Sequence, residues 1–391
     1  MKLLYNEVDD RIIVNLDKTI KEDSTPGIMT FGKDNDYPQL IEKLIYGSQT
    51  AKSCAQIYSK FIAGDSFENE EIGNIVVSRD IKNKPITLDM IRRQIADSLS
   101  IFKGVYIHTN INLDYKITNT RLVPFKNCRF SKIDDLGYCS KICVNKNWSD
   151  KSIKNKKNVT FFNTFNLNKT VIDSEIVKSG GINKWNGQIY FSFIDDTYLY
   201  PLSLFDSVYL DMDSEYQIQL FRNRELRNGF ADKVVFNIPM SEDEIDAKLL
   251  QGEIESFMGV DGKKSLVFQS EVDENGELIS NGFKIETIKT NMNPDLFQNA
   301  EKATVNNIRK AAGGLPQVLI DYELNGLSTA SGEMVIQATN YYNALTKDVR
   351  THISEIIKEV YSNFNDERLI NNTNWDIKPV SILNNEELNK E

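Results

Sequence analysis

The alternation of apolar and polar positions changes its period repeatedly along the chain, and each change marks a different kind of element. After Pro38, Leu40, Leu44, Ala51, Ala55, Tyr58 and Ile62 recur at helical intervals, which predicts one helix closed by Gly64. A second helix is predicted over 87–102. Leu88, Ile91, Ile95 and Leu99 share a face there, and Thr87 is placed to cap the first turn. From Gly104 to Tyr200 the period falls to two. The stretches GVYIHTNI, YKITNTRLVPF, GYCSKICVN, KNVTFFNTF and GQIYFSFID are β-branched and aromatic and are separated by turn residues. They predict a mostly antiparallel sheet, with the basic run KSIKNKK at 151–157 as a solvated loop.

The helical period then returns. Pro201 suits a first helical position, and Leu202, Phe205, Tyr209, Met212, Tyr216 and Leu220 form one stripe. Acidic residues crowd its first half and Arg222, Arg224 and Arg227 its last turns, the order the helix dipole favours. With Asn228-Gly229 as the stop, about 28 residues would span roughly 42 Å. A small insert follows. KVVFNI reads as a strand, SEDE at 241–244 opens a short helix, and KSLVFQSEV and FKIETIK read as strands joined through Asn-Gly turns. Pro294 starts another long helix, ended by Gly313-Gly314. After an apolar strip and a small-residue segment, Met334, Ala338, Tyr341, Leu345, Val349, Ile353, Ile356, Val360 and Phe364 form a single stripe, a helix of about 50 Å if straight. A last strand is expected around WDIKPVSI. The fold class expected from this succession is α+β.

Composition narrows the chemistry. The chain has 391 residues, 40% apolar and 26% charged, which is globular and long enough for two or three compact units. No apolar run is long enough to span a membrane, and MKLLYNEVDD turns acidic before a signal-peptide core can form, so a cytoplasmic site of synthesis is expected. A net charge of −10 opposes tight, nonspecific gripping of DNA. Four cysteines, Cys54, Cys128, Cys139 and Cys143, suit reduced thiols, and with only two histidines a zinc site is not expected. GVDGKKS at 259–265 is too short for a phosphate loop, and DMDSE at 211–215 lacks the glycine a calcium loop needs. Neither histidine stands in a motif with a serine or cysteine. No cofactor and no enzymatic activity are expected.

The stretch NNIRKAAGGLPQVLIDYELNGLSTASGEMVIQATNYYNALTKDVRTHISEIIKEVYSNF resembles the C-terminal core of tailed-phage portal proteins. DNDYPQLIEKLIYGSQTAKSCAQIYSKFIAGDSF is likewise similar to their N-terminal entry helix. The order of elements follows the family over most of the chain, and the residues do so mainly over 291–364. The resemblance implies a wing at 1–200, stem helices at 201–229 and 291–314, a clip at 230–290, a tunnel-loop region at 315–331, a long wing helix at 332–364, and a C-terminal wing strand and tail at 365–391 with the crown short or absent. It implies a ring, usually of twelve copies, at one capsid vertex of the virion, assembled in the host cytoplasm. Double-stranded DNA would pass through it, and the major capsid protein, the terminase and then the head–tail adaptor would dock on it. Another ring-forming connector and a nuclease-type enzyme are the alternatives.

On that resemblance, Gly313, Gly314 and Pro316 end the second stem helix and turn the chain. Asp321, Tyr322, Glu323, Leu324, Asn325, Gly326, Leu327, Ser328, Thr329, Ala330 and Ser331 form a pliant DNA-facing loop without Lys or Arg. Ser331 would also cap the helix that follows. Asp211, Asp213 and Glu215 either line the bore, or face outward, or pair with arginine on a neighbouring copy.

Overall fold

A computed structural model of the chain describes residues 18, 20–23, 27–148, 158–195, 198–227, 233–237, 284–288, 294–320 and 331–382. The chain forms two compact units, one of Met1–Asp213 with Val305–Glu391, the other of Ser214–Thr304.

The first unit opens with a short hairpin, β1 (Glu22–Asp23) and β2 (Ile28–Met29), and then the helices α1 (Tyr37–Gly47) and α2 (Gln49–Ala63). Apolar periodicity predicts one helix here, and the structure has two. Ser48 adopts an extended backbone (φ −95°, ψ 120°), and its hydroxyl accepts from Ala51 N–H, so it caps α2 while ending α1. Gly64 ends α2 at φ +66°, as expected of a C-terminal glycine. After α3 (Glu70–Gly73) and the hairpin β3 (Val76–Arg79) and β4 (Pro85–Thr87) comes α4 (Leu88–Phe102), capped by the Thr87 hydroxyl as the sequence predicts. α4 lies against α2, and both bury their apolar faces in the core.

The strands β5 (Gly104–Ile111), β6 (Ile117–Val123), β7 (Cys128–Phe130), β8 (Lys141–Val144), β9 (Thr160–Thr164) and β10 (Gln188–Phe193) form one six-stranded sheet in the order β6-β5-β10-β9-β8-β7. All neighbouring pairs are antiparallel except β9 and β10, which run parallel. The reason is a helix absent from the sequence reading, α5 (Lys169–Ser179), which carries the chain back across the sheet between them. The core beside the sheet is densely aromatic. Tyr106, Phe125, Phe130, Phe191 and Phe193 contact one another, and Phe130 stacks on Tyr200.

The next helix starts later than Pro201 suggests. Residues 201–205 are irregular, held by two long-range hydrogen bonds, Ser203 Oγ donating to Ile101 O and Ser203 N–H to Tyr37 Oη, and by a local one, Phe205 N–H donating to Ser203 Oγ. A single 3-10 turn at Asp206–Val208 leads into α6 (Tyr209–Arg227).

In the second unit, β11 (Lys233–Asn237) pairs antiparallel with β12 (Lys284–Ile288), so KVVFNI finds FKIETIK as its partner. The predicted helix after SEDE and the strand KSLVFQSEV lie outside the described residues, as do Asn228-Gly229 and the basic run 151–157. α7 (Pro294–Ala311) begins at the predicted proline, and its Glu301 forms an ion pair with Arg222 of α6. Glu215 and Thr304 are the buried polar residues of this unit among those described.

Back in the first unit, the long C-terminal helix is interrupted. It is α8 (Ser331–Leu345) followed by α9 (Lys347–Tyr361), with Thr346 between them at φ −94°, ψ 1°. Thr346 Oγ1 donates to Tyr342 O, a local bond of the kind that bends helices. The backbone ladder crosses the break, with Thr346 N–H on Tyr342 O and Arg350 N–H on Thr346 O. Ser331 is the first helical residue rather than a cap before it, and Phe364 lies beyond the helix, bridged to Ile117. α9 packs on α2 and α4. After α10 (Glu367–Ile370), residues 375–380 run extended beside 65–68. Lys378 N–H donates to Ser66 O, Asp65 N–H to Lys378 O and Glu68 N–H to Asp376 O. This is where the expected last strand sits.

Candidate functional site

The candidate residues fall at the end of α7, on α6 and in the segment before α8. At the end of α7 the chain makes two left-handed steps, Gly313 at φ +71° and Gly314 at φ +68°. A methyl group at Gly314 would meet nothing within 4 Å, so glycine is required there by backbone conformation and not by crowding. Gly314 N–H closes the turn on Lys310 O. Leu315 is fully buried, Pro316 takes φ −59°, and the following 3-10 turn at Gln317–Leu319 sets Leu319 and Ile320 against the core. The apolar strip after the proline therefore packs into the body of the unit. Residues 321–330, the body of the predicted loop, lie outside the described residues.

A residue that sequence reasoning missed secures this region. Tyr342 of α8 is fully buried and its hydroxyl donates to Ala312 O at 2.6 Å, the carbonyl just before the glycine pair. Its ring meets Phe61 edge-on at 4.9 Å and Tyr58 at 6.5 Å, both on α2. Burial pushes the Tyr342 phenol above its usual pKa, so it stays a hydrogen-bond donor. In the sequence Tyr342 is one aromatic within YYNAL, and nothing local separates it from Tyr341, which is exposed.

On α6, Asp211 and Asp213 are partly exposed, and Asp211 Oδ1 accepts from Asn307 Nδ2 of α7 at 3.3 Å. Glu215 is buried, which leaves Asp211 and Asp213 as the carboxylates of this trio with access to solvent. A further acid precedes the helix. Asp206 accepts from the Tyr37 hydroxyl at 2.7 Å and pairs with Lys18 at 2.5 Å, fixing the root of α6 to the core. Burial, and secondly the Asp206 charge, hold the Tyr37 phenol far above its usual range.

The structure also brings Ser192 Oγ within 2.9 Å of His352 Nε2, a contact between β10 and α9 that the sequence does not suggest. His352 Nδ1 stands 3.6 Å from Glu355 Oε2, beyond hydrogen-bonding distance, and Glu355 is solvent-exposed. The imidazole therefore lacks the oriented, shielded partner that activates a serine. The neighbouring Tyr190 donates to Glu359 at 2.7 Å, and the group ties the sheet to α9.

Cys54, Cys128 and Cys143 are buried thiols and Cys139 is partly exposed; none forms a disulfide. Burial pushes the Cys128 thiol well above its ordinary pKa. Among the described residues no three His, Cys, Asp or Glu side chains gather as a metal site, and no helix is long and apolar enough to cross a membrane.

No family model and no curated protein matches the chain. Among solved structures it is similar to a chain of the neck of an empty gene transfer agent particle, at 11% identity and TM-score 0.49, over 83% of this chain and 80% of the other. A chain from the virion of the native gene transfer agent particle matches at the same identity and TM-score, over 83% and 81%. The chain is also similar to an HK97-family phage portal protein from Corynebacterium diphtheriae, at 12% identity and TM-score 0.43, over 84% of this chain and 92% of that one.

Proposed function

We propose that the chain is a portal protein of a tailed phage, a structural subunit whose copies close into a ring at one capsid vertex. The observation that carries the reading is the treatment of α6, α7 and α8. α6 and α7 are tied by Arg222 and Glu301, and both helices run into a separate compact unit, Ser214–Thr304. The chain then turns at Gly313-Gly314, packs Leu315, and re-enters as α8, whose Tyr342 returns to the end of α7. A segment anchored in the first unit at Leu315 and again through Tyr342 can present its middle to a partner without disturbing the fold.

In this reading 321–331 faces double-stranded DNA in the channel. It carries Asp321 and Glu323 and no Lys or Arg, so it touches the duplex without the phosphate contacts that would stall it. The insert at 230–290 docks the terminase and afterwards the head–tail adaptor, and the wing at 1–200 meets the major capsid protein. The role is structural and needs no cofactor.

Electron microscopy of the purified protein and of virions tests the proposal. The expected images are rings with a central hole, and in virions one such ring at a single vertex. A chain that stays monomeric when purified and is missing from virions overturns it.

A further inference from the structure

We propose that Tyr342 is the positioning residue that joins the end of α7 to α8 and marks where α8 stops being part of the rigid body. The hydroxyl donates to Ala312 O, the carbonyl of the residue that directly follows the last helical residue of α7, where no further helical N–H is available to it. Tyr342 therefore caps α7 from a residue thirty positions later in the chain. The ring is held independently of that bond, edge-on to Phe61 and Tyr58.

The residues around Tyr342 divide α8 in two. Toward α9, Asn343 Nδ2 donates to Val380 O at 2.7 Å. Arg350 bridges Asn343 O (3.2 Å) and Phe61 O (3.1 Å), knitting this half to α2 and to the extended C-terminal segment. Toward the start of α8, no residue from 332 to 338 is buried. Thr339, the first buried residue, has a buried hydroxyl without a hydrogen-bond partner. The helix thus passes from a segment with no buried side chain to one that is docked on the core by Thr339 and Tyr342. Tyr342 is the first side chain on that path with both a satisfied polar group and a packed ring.

This cap belongs to the fold of the single chain and is independent of whether copies close into an oligomer. Amide hydrogen exchange of the full-length Tyr342→Phe variant tests it, because phenylalanine keeps the ring contacts and removes only the hydroxyl. Exchange at 310–314 and 331–341 is expected to quicken roughly five- to tenfold, about what the loss of one net hydrogen bond gives, with α2 and the sheet unchanged. Tyr58→Phe, which alters the same cluster without touching Ala312, is the matched control and is expected to leave 310–314 alone. Unchanged exchange at 310–341 in Tyr342→Phe overturns the proposal. So does a uniform rise across α2 and the sheet, which would make the hydroxyl an ordinary contributor to global stability.

Discussion

Gly64 shows how one residue depends on chain far away in sequence. Its φ of +66° favours glycine, but conformation is the smaller part. A methyl group there would lie 2.2 Å from Lys378 O and 2.6 Å from Ile377 Cγ2, both in the extended C-terminal segment. Two buried arginines converge on the same helix end. Arg92 donates to the carbonyls of Ala63, Gly64 and Asp65 while pairing with Asp89, and Arg350 donates to Phe61 O. Cations at a helix C-terminus suit its partial negative charge, and both satisfy carbonyls that the helix leaves without partners. Gly64→Ala is expected to lower stability by about 3 kcal/mol, since the left-handed backbone alone costs about 1–2 kcal/mol and the overlap with Lys378 must be relieved by moving backbone. A urea titration checks this, and an unchanged midpoint would show that 375–380 is not held against α2. The glycine itself was legible as a helix stop. Its intolerance of a side chain was not, because Lys378 is more than three hundred positions away. Arg92 and Arg350 read in sequence as ordinary polar positions on amphipathic helices.

At the scale of elements, the sequence served best where hydrogen bonding is local and repetitive, and worst where a single side chain overrules a period. GVYIHTNI is β5 residue for residue, because alternation and turn residues are local signals. The break between α1 and α2 leaves no mark in the sequence because the apolar stripe runs straight through it. What ends α1 is Ser48, fully buried and bonded to Ala51 N–H at 3.0 Å. The same blindness hid Thr346 between α8 and α9. At Pro201 the sequence is silent for a different reason: the residues that hold the chain out of a helix, Tyr37 and Ile101, belong to other elements. α5 went unread because its only buried residue is Ile172, too little for a stripe. Ser48→Ala removes the cap while leaving a residue that favours continuing the helix. It is expected to destabilise the chain by about 1–2 kcal/mol, the usual worth of an N-cap. Thermal unfolding checks this, and an unaltered transition would mean that packing alone sets the break.

For the whole molecule, the sign of the charge is the property that a ring amplifies, since each side chain recurs once per copy around the axis. The chain carries a net charge of −10, and Asp211 and Asp213 are partly exposed near the start of α6. The segment proposed to meet DNA adds two acids and no base. If these carboxylates face the bore, they repel phosphates from every side and keep the duplex centred and moving. If they face outward, or meet arginine on a neighbouring copy, reversing them disturbs assembly and not transport. Asp211→Lys with Asp213→Lys separates the two. A bore-lining pair predicts intact rings that package DNA about two- to tenfold more slowly at low salt, with the deficit shrinking as salt rises and screens the new attraction. Asp211→Asn, which removes charge without reversing it and can still accept from Asn307, should fall between the variant and the parent. Rings that form normally and package at the parental rate at low salt would exclude the lining. Rings that fail to close would assign the pair to the contact between copies.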